Sequence, residues 1–360
     1  MSNKKIAIIG TVGLPAIYGG FETLAEYLTK YLGKNYAITV YCSSKSYNQK
    51  ITEYNDAKLV YLPLNANGVQ SIPYDILAIL KAIRYADTLL ILGVSGCIIL
   101  PLIKLISRKK IIVNIDGMEW KRNKWSKFAK WFLKFSEKLA VNYADSVITD
   151  NQVIKEYVLS EYGVESTLIA YGGDHAVAAP LANKVLSQYP VLDANYAFTV
   201  CRIEPENNIH LILEAVAKQT KLPLVLIGNW QASQYGKDLH ASYSGINHLH
   251  LLDPVYDQDL LNQLRSNCWV YLHGHSAGGT NPSLVEAMCL GLPIFAFAAN
   301  YNKETTENAA EYFSDADELM HLIVNANEES LLANGLAMSA IANRRYQWQG
   351  IVAQYAGLLD

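Results

Sequence analysis

The chain has 360 residues, more than one ordinary hydrophobic core organises, so two domains are expected. Hydrophobic residues make up 51% and charged residues 18%, a globular balance, and the net charge of −3 excludes a global pull toward nucleic acid or anionic lipid. Any electrostatic partner must therefore be met by a local patch. The five cysteines (Cys42, Cys97, Cys201, Cys268, Cys289) form no CxxC pair and sit mostly in apolar runs, as buried free thiols of a reducing compartment do. The apolar run in "MSNKKIAIIG" is too short for a signal peptide, so a cytoplasmic protein is expected.

The first strand is "KIAIIG" (5–10), and "GTVGLPAIYGGFET" follows it directly. Gly10, Gly13, Gly19 and Gly20 fall in that loop, and a helix is predicted to start near Phe21. Bare amides at a helix N-terminus form an anion site. The dinucleotide fingerprint fails, because Val12 and Pro15 stand where it needs glycine, and no Walker lysine is present. A phosphate contact is the expectation, against a glycine turn that only eases helix–sheet packing. Further strands are predicted at "AITVYC" (37–42), "AKLVYL" (57–62) and "TLLILG" (88–93). The apolar stretch Thr88 to Ile106 is about long enough to span a bilayer. Gly93, Gly96 and Pro101 interrupt it, so a strand, a glycine turn and a buried helix are expected instead.

After the strand "KIIVNI" (110–115) comes Asp116, then Glu119. Both are candidates for acceptor orientation or base work, with helix capping the alternative for Asp116. The segment Trp120 to Lys138 holds seven basic residues and one acid, Glu137. Trp125, Phe128, Phe132, Phe135 and Leu139 recur at helical spacing, and Lys127, Lys130, Lys134 and Lys138 follow another stripe. A basic amphipathic helix with aromatics fits a membrane surface, with Trp125, Lys127, Phe128, Lys130, Trp131 and Lys134 as its contacts. The alternative is a core-facing helix with a solvated basic face. The strand "SVIT" (146–149) closes the first half.

The second half repeats the plan, with strands at "YAFTVC" (196–201), "LPLVLIG" (222–228), "HLHLL" (248–252), "CWVYL" (268–272) and "LPIFAF" (292–297). Near-continuous apolar strands alternating with helices indicate parallel sheets covered on both faces. The fold class is therefore α/β, with two doubly wound Rossmann-like domains facing across a cleft. Boundaries are set at 1–175, 176–340 and a C-terminal helix, 341–360, that packs back on the first domain. Ligands bind such sheets at the carboxyl ends of the strands, so chemistry is sought in the loops there. Arg202 stands at one strand end, where a guanidinium can grip a diphosphate; pairing with Glu204 or Glu206 is the alternative. "HGHSAGGTNPSLVEAM" (273–288) offers Gly278, Gly279, Thr280 and Asn281 ahead of Pro282, then Glu286 about one turn into a helix. Glu286 has apolar neighbours and needs hydrogen-bond donors, which a ribose diol supplies. His273 and His275 face one side; no further ligands accompany them, so no metal is expected. His275 and Tyr256 are candidate cleft contacts. "DQD" (257–259) and "DAD" (315–317) read as helix N-caps.

Taken together, "GLPAIYGGFET", "IDGMEWKRNKW", "RIEPENN", "HSAGGTNPSLVEAM" and "NKETTENAAEYFSDADEL" resemble the retaining glycosyltransferases of family 4, which have the GT-B fold. The similarity is greatest to the bacterial branch that contains capsule and O-antigen rhamnosyltransferases. The resemblance implies that Gly19, Gly20, Arg202 and Asn207 meet a donor diphosphate. It also implies that Glu286 binds the nucleotide ribose and that Gly279, Thr280 and Asn281 hold the donor phosphate and sugar. Two positions depart from the family: Gly278 replaces the first glutamate of its E-x7-E motif, and Asn207 and Asn208 stand where a lysine usually follows the arginine. Asp116 lies where relatives carry a histidine near the reacting sugar.

The implied activity is metal-independent transfer, needing no cofactor, of L-rhamnose from dTDP-rhamnose to a polyprenyl-diphosphate-linked saccharide at the inner membrane face. The donor phosphate itself would take the acceptor's proton. A UDP-hexose donor (glucose or galactose) is the nearest rival. A UDP-sugar 2-epimerase and a non-catalytic nucleotide-sugar binder are the rivals of other classes; nucleic acid is not an expected partner.

Overall fold

The computed structural model describes residues 4–17, 19–115, 117–121, 125–219 and 221–360. They form two compact units, Met1–Tyr171 with Trp348–Asp360, and Gly172–Gln347.

The first unit is built on eight strands: β1 (Lys5–Ile9), β2 (Ala37–Ser43), β3 (Glu53–Tyr54), β4 (Ala57–Leu62), β5 (Thr88–Leu92), β6 (Lys110–Asn114), β7 (Ser146–Thr149) and β8 (Thr167–Leu168). Their order is β3-β4-β2-β1-β5-β6-β7-β8; β3 runs antiparallel to β4 and the other pairs are parallel. All five residues of β5 are buried, as a central strand covered on both faces requires. The helices are α1 (Gly20–Leu32), α2 (Ser71–Ala82), α3 (Leu100–Ile106), α4 (Lys127–Tyr143) and α5 (Gln152–Tyr162). The chain moves one way along the sheet through α1 and the other way through α2 to α5. Right-handed crossovers therefore put α1 on one face and α2 to α5 on the opposite face.

The second unit has six parallel strands: β9 (Ala197–Val200), β10 (Leu224–Ile227), β11 (Leu249–Leu252), β12 (Val270–His273), β13 (Ile294–Phe297) and β14 (Glu311–Phe313), in the order β11-β10-β9-β12-β13-β14. Around them lie α6 (Asn183–Gln188), α7 (Ile209–Ala217), α8 (Gln234–Tyr243), α9 (Gln258–Ser266), α10 (Pro282–Cys289), α11 (Asn300–Thr305), α12 (Ala316–Asn325) and α13 (Glu328–Arg345). A last helix, α14 (Trp348–Leu359), belongs to the first unit. Each sheet has one topological switch point, between β1 and β5 in the first and between β9 and β12 in the second.

Three expectations change. The first unit ends at Tyr171, not at residue 175, so Gly173 and His175 belong to the second unit. Gly173 lies flat on α10: an added Cβ would stand 2.6 Å from the carbonyl of Val285. The segment 341–360 is not one helix. Arg345 is held by Glu304 (2.5 Å) and Glu307 (3.3 Å), and the buried Tyr346 donates its hydroxyl to the Thr305 carbonyl at 2.8 Å, which fixes the end of α13 in the second unit. Trp348 instead stacks on Tyr27 of α1 (centroids 4.4 Å apart, planes 6° apart), and Tyr355 accepts from Asn114 Nδ2 at 2.8 Å. Finally, α3 is not a buried helix: it buries Leu100 and Ile103 and exposes Leu102, Leu105 and Ile106, because seven residues offer only one face to the sheet. No helix among the described residues is long and apolar enough to cross a membrane.

Trp348 is 1% exposed. Trp348→Ala should therefore lower the unfolding free energy by about 3–5 kcal/mol in urea titration, as loss of a buried aromatic does. A loss below about 1 kcal/mol, within reach of a surface change, would show that α14 is not anchored there.

Candidate functional site

At the second unit's switch point, two loops meet beyond β9 and β12. Ser276 donates its backbone N–H (2.8 Å) and hydroxyl (2.9 Å) to the Glu206 carbonyl, and Asn208 Nδ2 donates to the Gly274 carbonyl at 2.9 Å. Gly274 allows that approach, since a Cβ there would lie 2.2 Å from the Asn207 carbonyl oxygen. Asn207 is buried, and its Nδ2 donates to the Arg202 carbonyl at 2.7 Å. Its side chain thus braces the turn that carries Arg202. Arg202 itself is exposed at the end of β9.

Asn281 caps α10: its Oδ1 accepts from the Ser283 amide (3.1 Å) and hydroxyl (2.8 Å), and its carbonyl accepts from the amides of Leu284 (3.1 Å) and Val285 (3.2 Å). The helix's own first-turn amides are therefore spent on Asn281. The loop 278–281 lies ahead of that cap. In that loop Gly279 is half-buried and Thr280 is buried. Gly278 has φ +125° with nothing within 4 Å of an added Cβ. An L residue at position 278, a glutamate included, is strained in its backbone although space is open.

Glu286 lies one turn into α10 with its side chain 16% exposed. Its Oε2 accepts from Arg265 Nη1, and its Oε1 meets His175 Nε2 at 3.0 Å. Arg265 is 1% exposed, and its Nη2 donates to Asn262 Oδ1 at 3.1 Å. Burial alone would raise the Glu286 pKa, but the charge of Arg265 and the bond to His175 outweigh it and hold the carboxyl down to about 2. The group is an ionised acceptor at any physiological pH. Sequence reasoning missed Arg265 and His175. One signal was available: Arg265 shares the buried face of α9 with Leu261 and Leu264, an unusual place for a lone cation.

His273 and His275 stack at 4.4 Å with planes 10° apart, and Tyr271 continues the ladder at 6.0 Å. His273 is fully buried, neither ring nitrogen has a hydrogen-bond partner among the described residues, and burial pushes its pKa down to about 3. It is neutral. Tyr256 is exposed in the loop after the edge strand β11, two strands from β9. Asp257 and Asp315 cap α9 and α12. No group of three or more His, Cys, Asp or Glu side chains placed to hold a metal occurs among the described residues.

In the first unit, the loop after β1 is largely satisfied by carboxylates. Glu22 Oε1 accepts from the Val12 amide (2.6 Å) and the Thr11 hydroxyl (3.0 Å), and Glu26 Oε2 accepts from the Ala16 amide (2.7 Å). A Cβ on Gly19 would lie 1.9 Å from Glu22 Oε2, and Gly19 has φ +131°. The carboxylate therefore explains Gly19, and Gly20 opens α1 beside it. Asp116 lies outside the described residues. Glu119 accepts from Trp125 Nε1 at 3.1 Å.

Helix α4 turns Leu133, Ser136, Glu137, Ala140 and Val141 inward and leaves Phe128, Trp131 and Phe135 exposed. Lys127 is exposed and Lys130 half-buried, whereas Lys134 pairs with Glu161 at 2.8 Å and lies over the Trp120 ring.

Residues 187–336, which contain the Arg202 and Glu286 loops, match the family described as glycosyl transferases group 1. The chain is a glycosyltransferase. Residues 3–174 match a second family, described only as a domain of unknown function, DUF1972. No curated protein matches the enzyme. Solved structures similar to it include sucrose-phosphate synthase from Thermosynechococcus elongatus (TM-score 0.83, 16% identity, 99% of this chain and 98% of that one). HepE from Anabaena, in complex with UDP-glucose, gives a TM-score of 0.77 at 16% identity over 99% of both chains. Trehalose 6-phosphate synthase from Burkholderia multivorans gives 0.75 at 10% identity, over 100% of this chain and 96% of that one. These likenesses establish the fold, GT-B with two Rossmann-like units.

The glycosyltransferase's buried ion pair has a direct test. Arg265→Met leaves Glu286 without its main counter-charge and should cost about 3–5 kcal/mol of stability in urea titration. Arg265→Met with Glu286→Met should recover most of that; an equal loss in single and double variants would overturn the pairing. Because the folded pKa of Glu286 lies below the ordinary 4.5, its contribution is present above about pH 4.5 and is lost as pH falls toward about 2. Wild type should therefore lose stability more steeply than Glu286→Gln between those values.

Proposed function

We propose that the enzyme is a family 4 retaining hexosyltransferase that moves L-rhamnose from dTDP-rhamnose to a polyprenyl-diphosphate-linked saccharide in capsule or O-antigen synthesis. The observation that carries the donor half is the Glu286 carboxylate, held ionised and oriented by Arg265 and His175 beside the second unit's switch point. Each of its oxygens already accepts one bond and keeps a further lone pair. A ribose diol, or the single 3′-hydroxyl of a deoxyribose, fits that remaining capacity.

The donor diphosphate then lies against Arg202 and the backbone of 278–281. In the sequence of the two loops, 201–208 and 273–281, Arg202 is the one arginine or lysine. As the glycosidic bond breaks, negative charge grows on the leaving diphosphate, and Arg202 with the oriented amides stabilises it without a metal. No protein nucleophile is required: the leaving phosphate oxygen takes the proton of the acceptor hydroxyl as that oxygen bonds to the sugar carbon. Gly278, lacking a carboxylate, leaves the sugar to the loop amides. The oxygen of Asn281 is committed to its cap, so its amide nitrogen is the part that faces a ligand.

A UDP-hexose donor is the second reading, favoured by the UDP-glucose in the HepE complex. On the acceptor side, the exposed aromatics of α4 and their lysines favour peripheral contact with the inner face of the cytoplasmic membrane, where a lipid-linked acceptor resides.

A thermal-shift panel of dTDP, UDP and GDP sugars tests the donor. The largest shift is expected from dTDP-rhamnose, with at least a tenfold loss of apparent affinity in Glu286→Gln, about what one hydrogen bond to a charged group contributes. Preference for a UDP-hexose moves the assignment to the second reading, and equal shifts in wild type and Glu286→Gln would sink the ribose role. Gly278→Glu should impair donor use beyond Gly278→Ala, which carries the backbone strain alone.

A further inference from the structure

The largest exposed apolar groups of the first unit lie on two helices. On α3, Leu102 is 51% exposed, Leu105 83% and Ile106 62%. On α4, Phe128 is 73% exposed, Trp131 62% and Phe135 41%. Each set falls at i, i+3 and i+4 or i+7, the spacing of one helix face. Each set also lies opposite the residues its helix buries: Leu100 and Ile103 on α3, and Leu133, Ser136, Glu137 and Ala140 on α4.

These two outward faces belong to one surface. The strands β5, β6 and β7 are neighbours, and α3 and α4 are the successive crossovers that join them, so both helices lie on the same side of the sheet. They also pack directly on each other. Ser136 Oγ donates to the Val94 carbonyl at 2.5 Å, which ties α4 to the segment entering α3, and Lys104 of α3 binds Asp145, just beyond α4, at 2.6 Å. The pair is therefore a braced platform. On it, the rings of Phe128 and Trp131 lie 5.9 Å apart and those of Trp131 and Phe135 are stacked at 5.8 Å.

Charge selects the occupant. Residues 102–138 contain eleven basic and three acidic residues, in a chain whose net charge is −3; Lys104, Lys109 and Lys134 pair with Asp145, Asp87 and Glu161 outside the segment, and the other eight basic residues still outnumber its acids. A second copy docked face to face would oppose two such basic segments, because a two-fold interface presents the same patch on both sides. An anionic bilayer complements the charge, and its interfacial region accepts the leucines, isoleucine and aromatic rings.

We infer that α3 and α4 together form one membrane-seating face, with Leu102, Leu105 and Ile106 entering the interface of an anionic bilayer beside Phe128, Trp131 and Phe135. The inference rests on the reading of α4 as a membrane contact and extends it to α3, the end of an apolar stretch whose sequence reads only as a bilayer span or a buried helix. α3 carries the deeper aliphatic part of the contact, and the lysines of α4 supply the attraction to lipid headgroups.

The test is co-sedimentation of the full chain with sucrose-loaded vesicles, phosphatidylglycerol mixed into phosphatidylcholine against phosphatidylcholine alone. Wild type should bind the anionic vesicles and be released by salt. Leu105→Ser with Ile106→Ser should weaken partitioning at least about tenfold, the effect of removing two apolar side chains from the interface, with an unchanged melting temperature and unchanged thermal shift by nucleotide sugar. Trp131→Ala should weaken it as well. Binding by the α3 variant equal to wild type, while Trp131→Ala is weakened, would overturn the role of α3 and leave α4 standing. No binding by wild type would overturn both. A wild-type dimer in sedimentation equilibrium that the α3 changes dissociate would show the face to be a self-association surface and refute the bilayer assignment.

Discussion

The second unit depends on an ion pair that would be costly if any part of it were missing. Taking an arginine and a glutamate out of water costs several kcal/mol per ion, and only close geometry with further hydrogen bonds recovers it. Here Arg265 is buried on α9, Glu286 sits on α10, and His175 comes from the segment that enters the unit. Three separate pieces of chain are therefore fixed to one carboxylate. Asn262 takes a second proton of the guanidinium, and Gly173, two residues before His175, lies flat against the backbone of α10. An apolar trio would hold these pieces together at less electrostatic cost. The ionic version leaves an ionised oxygen pair at the surface of the switch point, the property a hydroxyl-bearing ligand requires.

The glycines around the two switch points answer to different demands. Gly10 is small because β5 passes so close that a Cβ would fall 1.9 Å from the Leu92 carbonyl oxygen. Gly19 makes way for the Glu22 carboxylate, and Gly278 holds a φ that L residues avoid. A glycine-rich loop is thus no direct sign of an anion cradle. In the first unit Val12, Gly13 and Ala16 spend their amides on Glu22, Thr11 and Glu26, and a carboxylate stands close to the start of α1. In the second unit Ser283, Leu284 and Val285 spend theirs on Asn281. The loop 278–281 precedes that cap, so capping of α10 does not draw on its amides.

The strands were legible because a buried parallel strand is a near-continuous apolar run, and "TLLILG", "KIIVNI" and "CWVYL" are such runs. The short edges β3, β8 and β14, two or three residues each, carry no comparable signal and were not anticipated. Glu286 was legible from its apolar neighbours on a short helix. Its partners were not, because 21 residues separate it from Arg265 and 111 from His175, and only the fold brings them together. Asn207 reads as a spare amide in the sequence but folds back on Arg202. On α3, periodicity shows two apolar faces and cannot say which turns inward; the fold settles it by burying Leu100 and Ile103. The split of the C-terminal segment is equally a matter of tertiary contacts, since "RRYQWQGIVAQYAGLL" is helical throughout by propensity and breaks where Tyr346 and Trp348 are held by different units.

Charge is partitioned along this chain in a way that its net value conceals. The basic excess gathers in residues 102–138, the stretch that includes most of α3 and of α4, while the two loops of the second unit's switch point carry one arginine and the acids Glu204 and Glu206. Two histidines stand in those loops, and the buried one is held neutral by its surroundings. On the proposed reading, a nucleotide sugar arriving there would not be drawn in by a field of cations. It would be met at short range, its diphosphate by one guanidinium and backbone amides and its ribose hydroxyls by Glu286. Such contacts depend on direction more than on charge, so they are weakened little by salt and strongly by small displacements. That is the physical reason for fixing Glu286 from three sides: where Coulomb attraction is modest, geometry has to supply the selectivity.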